Sequence, residues 1–274
     1  MSFPKLDVLL SPVEFELLPG RDLSATFCVV FDVLRATSTM TVALANGATG
    51  ILPCGTIDEA VAARAANPNL LLAGERGGLR ITAEISGSVG FDLGNSPREM
   101  VAEAISGRQL AMTTTNGTRA LKACAGARRV WLGCFLNLSA LGQAIRDCRP
   151  EQLLLVCAGT GDDSALEDVL GAGAICDFLW NDFGQAASDA ARLARDHYCN
   201  SRDQLLEVAS QAANARRLLG IAGLAKDVRF DRKSVGQGKR VDRGGRRIVK
   251  QKHCKLLIDS PCSTYVSSTL FSLH

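Results

Sequence analysis

Histidine is scarce in this chain, with three in 274 residues, and aromatic side chains make up only 5%. Two of the histidines, His253 and His274, lie in a terminal stretch that reads differently from the rest, so any chemistry has to run with His197 or with none. No run of 18 apolar residues occurs, which excludes a membrane-spanning helix. The N-terminal MSFPKLDVLLSP lacks the charged start, apolar core and small-residue cleavage site of a secretory leader, and the expected location is cytoplasmic. No C-x-x-C pair occurs either, although there are ten cysteines. They are scattered, and Cys28, Cys157 and Cys176 sit in apolar strand or helix patterns. They read as small buried hydrophobes in a reducing compartment, which argues against disulfides and a zinc site.

What is present is ample material for a core, at 47% apolar residues. The net charge of +3 is unevenly placed: residues 1–230 carry 21 Lys and Arg against 25 Asp and Glu, whereas residues 231–253 carry nine against two. Residues 231–247 have no apolar periodicity, and their Gly, Arg and Lys mixture is that of a disordered basic arm. A nucleic-acid-binding extension is one reading of such a tail. The favoured reading is that DRKSV, GK, VD and GGRRI resemble translated sequencing-adapter DNA. Residues 231–274 are then an artefactual, irregular, solvent-exposed tail, and no nucleic-acid partner is expected.

In residues 1–230, strand-like apolar runs fall near 7–10, 28–31, 50–52, 70–73, 110–113, 129–132, 153–157 and 227–230. Helical patterns lie between them near 39–45, 57–66, 97–106, 118–123, 138–147, 167–180, 188–196 and 201–219. This alternation predicts an α/β fold, a three-layer α/β/α sandwich with a mostly parallel or mixed sheet. Leu155 to Thr160 leads into EDVLGAGA much as Val29 to Asp32 leads into TVALANGA, a hint of two similar halves with a boundary near 110–150.

The polar residues that interrupt this pattern collect at strand ends, where open α/β sheets place their ligands. In FCVVFDVLRATSTM a buried strand ends in Asp32, followed by Arg35, Thr37, Ser38 and Thr39. The carboxylate suits a hard cation such as Mg2+, the arginine suits phosphate or sulfonate oxygens, and the hydroxyls add donors for an anion. The plainer reading is a strand-ending Asp that caps a helix. Glu75 and Arg76 lie in GERGG, and Asn95 and Ser96 in GFDLGNSP, where turn chemistry is the competing explanation. In TTTNGTR, Asn116 and Gly117 give a tight turn and Thr118 a hydroxyl cap, while Thr115, Thr118 and Arg119 form a candidate oxyanion cradle. In CAGTGDDSALED, Thr160 follows a strand. Glu167 and Asp168 sit in the first turn of a helix, Ser164 and Glu167 fit a capping box, and Asp168 is the better metal candidate.

Taken together, DVLRATST, GERGG, GFDLGNSP, TTTNGTRAL and CAGT followed by ALEDVLGAGAI resemble, in order and spacing, the 2-phosphosulfolactate phosphatase (ComB) family over about residues 4–230. The resemblance implies an α/β/α fold and an Mg2+-dependent hydrolysis of 2-phospho-3-sulfolactate to 3-sulfolactate and phosphate, a step toward coenzyme M. The chemistry of the residues is compatible with that activity. There is no C-x5-R loop for a cysteine phosphatase and no D-x-D-x-T for that kind of aspartyl-phosphate mechanism. A metal-activated water remains, with Asp32, Asp168 and Glu167 as expected Mg2+ ligands and Glu75 as a further carboxylate. Asp32, Arg35, Asn116, Thr118 and Arg119 are the expected catalytic residues. Thr37, Glu75, Arg76, Asn95, Ser96, Thr115, Gly117 and Thr160 are expected to line a small anionic phosphorylated substrate. The alternatives are a phosphatase of another small phosphorylated acid and a non-catalytic anion-binding protein, and a homo-oligomer is compatible with either.

Overall fold

The computed structural model describes residues 4–228 and 255–256. The chain begins with β1 (Lys5–Leu9), α1 (Pro12–Phe15), β2 (Thr26–Phe31), α2 (Ala36–Ala45), β3 (Gly50–Pro53) and α3 (Ile57–Ala66). It continues with β4 (Leu71–Arg76), β5 (Leu79–Arg80), α4 (Ala83–Ser86), α5 (Ala102–Ile105), β6 (Gln109–Thr113), α6 (Gly117–Ala123) and β7 (Arg129–Gly133). The remainder is α7 (Leu138–Cys148), β8 (Gln152–Cys157), α8 (Leu166–Phe178), α9 (Trp180–Phe183), α10 (Asp189–Ser201), α11 (Leu205–Ser210), α12 (Ala213–Leu219) and β9 (Lys255–Leu256).

The expected α/β architecture is present, with the strands divided between two sheets. One is wholly parallel in the order β1-β8-β2-β7, and the other runs β5-β4-β6-β3-β9 with only the β4–β5 pair antiparallel. Alternation along β2 assigns its two faces. Cys28 and Val30 join a core with Met40 and Leu44 of α2, Leu121 of α6, and Ile51, Leu110 and Met112 of the second sheet. Val29 and Phe31 point the other way, into a core with α7, α8 and α10. A third cluster covers the far side of the second sheet with α3. Helices α2 and α6 therefore lie between the sheets, which explains why eight of the ten α2 residues are buried and why its sequence has no polar face.

Helix α8 is nearly as enclosed. A Cβ on Gly173 would fall 2.1 Å from the Ala194 carbonyl oxygen, so its small residues are what let α10 pack closely. The two stretches that looked like a duplication, β2-α2 and β8-α8, are neighbours in one sheet, with Val29 opposite Leu155 and Phe31 opposite Cys157.

Three expectations from the pattern differ. Residues 225–228 are helical rather than the start of a strand, because Asp227 is drawn into a buried ion pair and its amide donates to the Leu224 carbonyl. The helix expected over 97–106 breaks at Met100 and Val101, where the fully buried Met100 turns its carbonyl to the Asn46 side chain. The long helix over 201–219 is broken, and α11 and α12 are separate with extended backbone at Ala212. Residues 231–247 and the rest of the basic tail lie outside the described residues, apart from the two-residue β9 on β3.

Candidate active site

Asp32 follows β2 directly and is buried at the carboxyl end of its sheet. Its Oδ1 accepts the Ala36 amide at 3.0 Å, holding the first turn of α2. Its Oδ2 faces the start of α6, where a Cβ on Gly117 would lie 2.4 Å from that oxygen and 2.6 Å from the Ala36 Cβ. Only glycine lets the threonine-rich turn approach the carboxylate, so Gly117 sits against Asp32 by steric necessity.

Two of the three hydroxyls after Asp32, those of Thr37 and Ser38, are engaged by the fold and are not donors for an anion. Thr37 Oγ1 lies 2.8 Å from the Gly133 carbonyl and 2.9 Å from that of Asp32, and accepts the Asp32 amide; Ser38 donates to the Val33 carbonyl. Both side chains pin the loop to α2. Thr39 Oγ1 is buried without a partner.

Asp168 and Glu167 come to the same place from α8, but not as a capping box. Ala165 occupies the N-cap position with no side-chain cap bond, Ser164 is exposed, and Glu167 is buried. Asp168 accepts the Val33 amide on Oδ1 at 2.8 Å and the Gly159 amide on Oδ2 at 3.0 Å, so it clamps the loop after β2 to the loop after β8. Glu167 accepts a 3.3 Å bond from Asn214 on Oε1, and its Oε2 is buried with no partner. Burial pushes the Asp32 carboxyl up to about 6, with Glu75 adding to it and the Ala36 amide and Arg35 opposing. Burial likewise pushes Glu167 up to about 7, with Asp32 adding to it. Asp168 is raised by burial and by the charges of Glu167 and Asp32, against its two amide bonds. Several carboxylates thus repel one another in a dry place.

The second sheet contributes the other turns. Glu75, at the end of β4, accepts the amide and hydroxyl of Thr115, both at 2.8 Å, on Oε1 and the Gly78 amide at 2.7 Å on Oε2. It is a lock between GERGG and the threonine turn. Thr118 is not a simple cap. Its hydroxyl pairs with the Thr114 backbone while Thr114 Oγ1 accepts the Thr118 amide, so Thr114 does the capping. Asn116 donates through Nδ2 to the carbonyls of Ala158 and Gly161, each at 2.9 Å, which leaves its buried Oδ1 without a partner. What Asn116 offers a ligand is therefore an acceptor. Thr160 is placed by backbone bonds with Asp163.

Arg35 is buried, donating from Nη1 to Asp227 Oδ2 at 2.8 Å and from Nη2 to the Gly78 carbonyl at 2.7 Å. Asp227 also receives the Ser96 hydroxyl at 2.7 Å and Arg98 Nη1 at 3.2 Å. Asn95, beside Ser96, has a buried Oδ1 without a partner. Arg76 donates to the Glu75 carbonyl and to Thr113 Oγ1, and burial lowers its pKa. Arg119 alone among the expected residues turns elsewhere, to an ion pair with Glu16 in which both side chains are well exposed. Sequence reading missed Asn214, whose amide holds the Leu34 carbonyl and Glu167 while Arg217 holds its oxygen, and missed the hub role of Asp227. Nothing local marks either residue, since each acts at a site distant in sequence.

A divalent ion is compatible with this donor set in a restricted way. Among the described residues no three His, Cys, Asp or Glu side chains form a metal cage, and the expected trio is reduced because Asp168 faces two backbone amides. Asp32 and Glu167, with the orphaned Asn116 Oδ1 close by in the chain to Gly117, remain as hard oxygen donors. One or two carboxylates completed by water and a substrate phosphate is the usual way Mg2+ is held.

Comparison with known proteins agrees with the blocks that form these turns. The family model described as 2-phosphosulpholactate phosphatase matches residues 14–234. A protein of Thermotoga petrophila called "Probable 2-phosphosulfolactate phosphatase" is 39% identical over 219 residues, 80% of this chain and 89% of its own. Proteins with the same name from Caldicellulosiruptor saccharolyticus, 43% identical over 63% of this chain and 70% of theirs, and Deinococcus radiodurans, 39% identical over 74% and 81%, are similar as well.

Proposed function

Because the chain belongs to the 2-phosphosulfolactate phosphatase family and is a phosphoric monoester hydrolase, we propose that its substrate is 2-phospho-3-sulfolactate and that it works with Mg2+. The observation that carries the proposal is the pairing, in one buried site, of carboxylates that repel each other with acceptor atoms that nothing in the fold satisfies. An unpartnered buried carboxylate oxygen is costly unless a cation or proton joins it. A bound Mg2+ would supply that charge and lower the pKa of a water beside the phosphoryl group.

In this reading Asp32 and Glu167 hold the ion, and Asp168 and Glu75 fix the loops that carry them. Arg35 and Arg76, each with N–H groups beyond those the fold engages, orient the phosphate, carboxylate and sulfonate of the substrate. The turn at 115–117 closes the site against Asp32. Eight cysteines among the described residues form no disulfide, which supports the cytoplasmic placement within the same proposal, and no described helix is long and apolar enough to cross a membrane.

The test is phosphate release from 2-phospho-3-sulfolactate by the purified chain, with Mg2+ and after chelation. The proposal expects turnover that disappears with the chelator and returns with Mg2+. Chelator-resistant release would remove the metal. Release from other small phosphorylated acids but not from this one would remove the substrate.

A further inference from the structure

We propose that Asp227 is a positioning residue: it acts through Arg35, fixing the direction in which that guanidinium presents its remaining N–H groups to the substrate's anionic groups. The inference rests on the reading of Arg35 given above. Asp227 is fully buried on the helical turn 225–228, 192 positions from Arg35 in sequence.

Its carboxylate is satisfied from three directions: Arg35 Nη1 at 2.8 Å on Oδ2, and Ser96 Oγ at 2.7 Å and Arg98 Nη1 at 3.2 Å on Oδ1. The opposite nitrogen of Arg35 is held by the Gly78 carbonyl at 2.7 Å, and the Gly78 amide is itself held by Glu75 at 2.7 Å. The planar fork is thus gripped at both outer nitrogens by two elements that do not otherwise share a strand or helix. A guanidinium has five N–H donors, so two engaged donors leave three with fixed directions. Such preorganisation is what a bidentate anion contact needs. One carboxylate between two guanidinium groups also leaves a positive excess, whereas an Asp227 present only to neutralise Arg35 would have no use for Arg98.

The test is a double-mutant cycle between Asp227→Asn and Arg35→Lys, read as KM and kcat for 2-phospho-3-sulfolactate and as the inhibition constant of inorganic phosphate, with Tm recorded for each protein. Asp227→Asn is expected to raise KM and the phosphate constant by about tenfold while kcat changes by less than about threefold. In the Arg35→Lys background the same change is expected to have less than about a twofold effect, because the fork it positions is gone. Equal effects with and without the Arg35 guanidinium, or a lowered Tm with unchanged KM, would overturn the proposal. Should Asp227→Asn fail to fold, Ser96→Ala, which removes one of the three donors to Asp227, is expected to show the same non-additivity with Arg35→Lys at smaller size, and additivity there overturns the proposal as well. If the wild-type protein releases no phosphate from 2-phospho-3-sulfolactate, the substrate reading fails separately. The cycle is then read from the Tm shift produced by inorganic phosphate, where Asp227→Asn must diminish the shift only when Arg35 is present.

Discussion

The turns that enclose the site and the carboxylate pair within it are built on opposite principles. Glu75, Asp168 and Asp227 enclose the site, and each receives two or three donors from backbone amides, hydroxyls or guanidinium groups. Asp32 and Glu167 are also buried, yet the donors that reach them are the 3.0 Å Ala36 amide with the Arg35 amide beside it for Asp32, and a long bond from Asn214 with its own amide for Glu167, whose Oε2 has no partner. The adjacent residues Glu167 and Asp168 show the contrast most sharply, since they share a helical turn, burial and charge but differ in partners. On the proposed reading, full satisfaction in a low-dielectric site belongs to residues that hold the fold, and the incomplete satisfaction of Asp32 and Glu167 belongs to residues that bind the ion.

Substitutions can break that contrast. The largest effect on turnover is expected from Asp32→Asn, which keeps the shape and removes the charge: kcat should fall by about a hundredfold or more. Its Tm at pH 8 should not fall, because the lost charge is one that burial opposes. Asp168→Asn should do the reverse. It places an amide NH2 against the Val33 or Gly159 N–H, so it should cost about 2–3 kcal/mol of stability in denaturant unfolding, with activity lost only in proportion to folded protein. The smallest effect is expected from Arg119→Lys. Its exposed pair with Glu16 contributes at most about 1 kcal/mol, and KM should stay within about twofold of wild type. A tenfold rise in KM would return Arg119 to the substrate.

Much of the fold was readable because burial and periodicity agree. β2, β6 and β8 are short apolar runs bounded by polar turns, and α3 spans 57–66 as its pattern requires. The buried polar turns were readable as well, since Asp32, Glu75, Asn116 and Asp168 interrupt apolar patterns where a plain core protein has no need of them. What each atom does was not readable. Thr37, Ser38 and Thr39 of α2 look like anion donors in sequence, but a helix enclosed between two sheets uses Thr37 and Ser38 to satisfy carbonyl groups that water cannot reach. Asn116 looks like a donor and is left with a free acceptor. Arg35 could be chosen as a cation, but its partner Asp227 lies at the far end of the domain and was read as part of a strand.

The central claim is that Asp32 and Glu167 are open because an ion completes them, and protons compete for the same oxygens. Both carboxyls hold their protons to higher pH in the fold than their ordinary values of 3.8 and 4.5. Without metal, the stability they permit is therefore present at low pH and is lost as pH rises through about 6 for Asp32 and about 7 for Glu167. Added Mg2+ should reverse that loss above these values and do little below them. The direct measurement is the Tm shift caused by saturating Mg2+ at pH 5 and at pH 8, in the wild-type protein and in Asp32→Asn. The account predicts a rise of about 5 °C at pH 8, under about 1 °C at pH 5, and little at either pH in the variant. A shift that is equal at both pH values, or that survives Asp32→Asn unchanged, would contradict it.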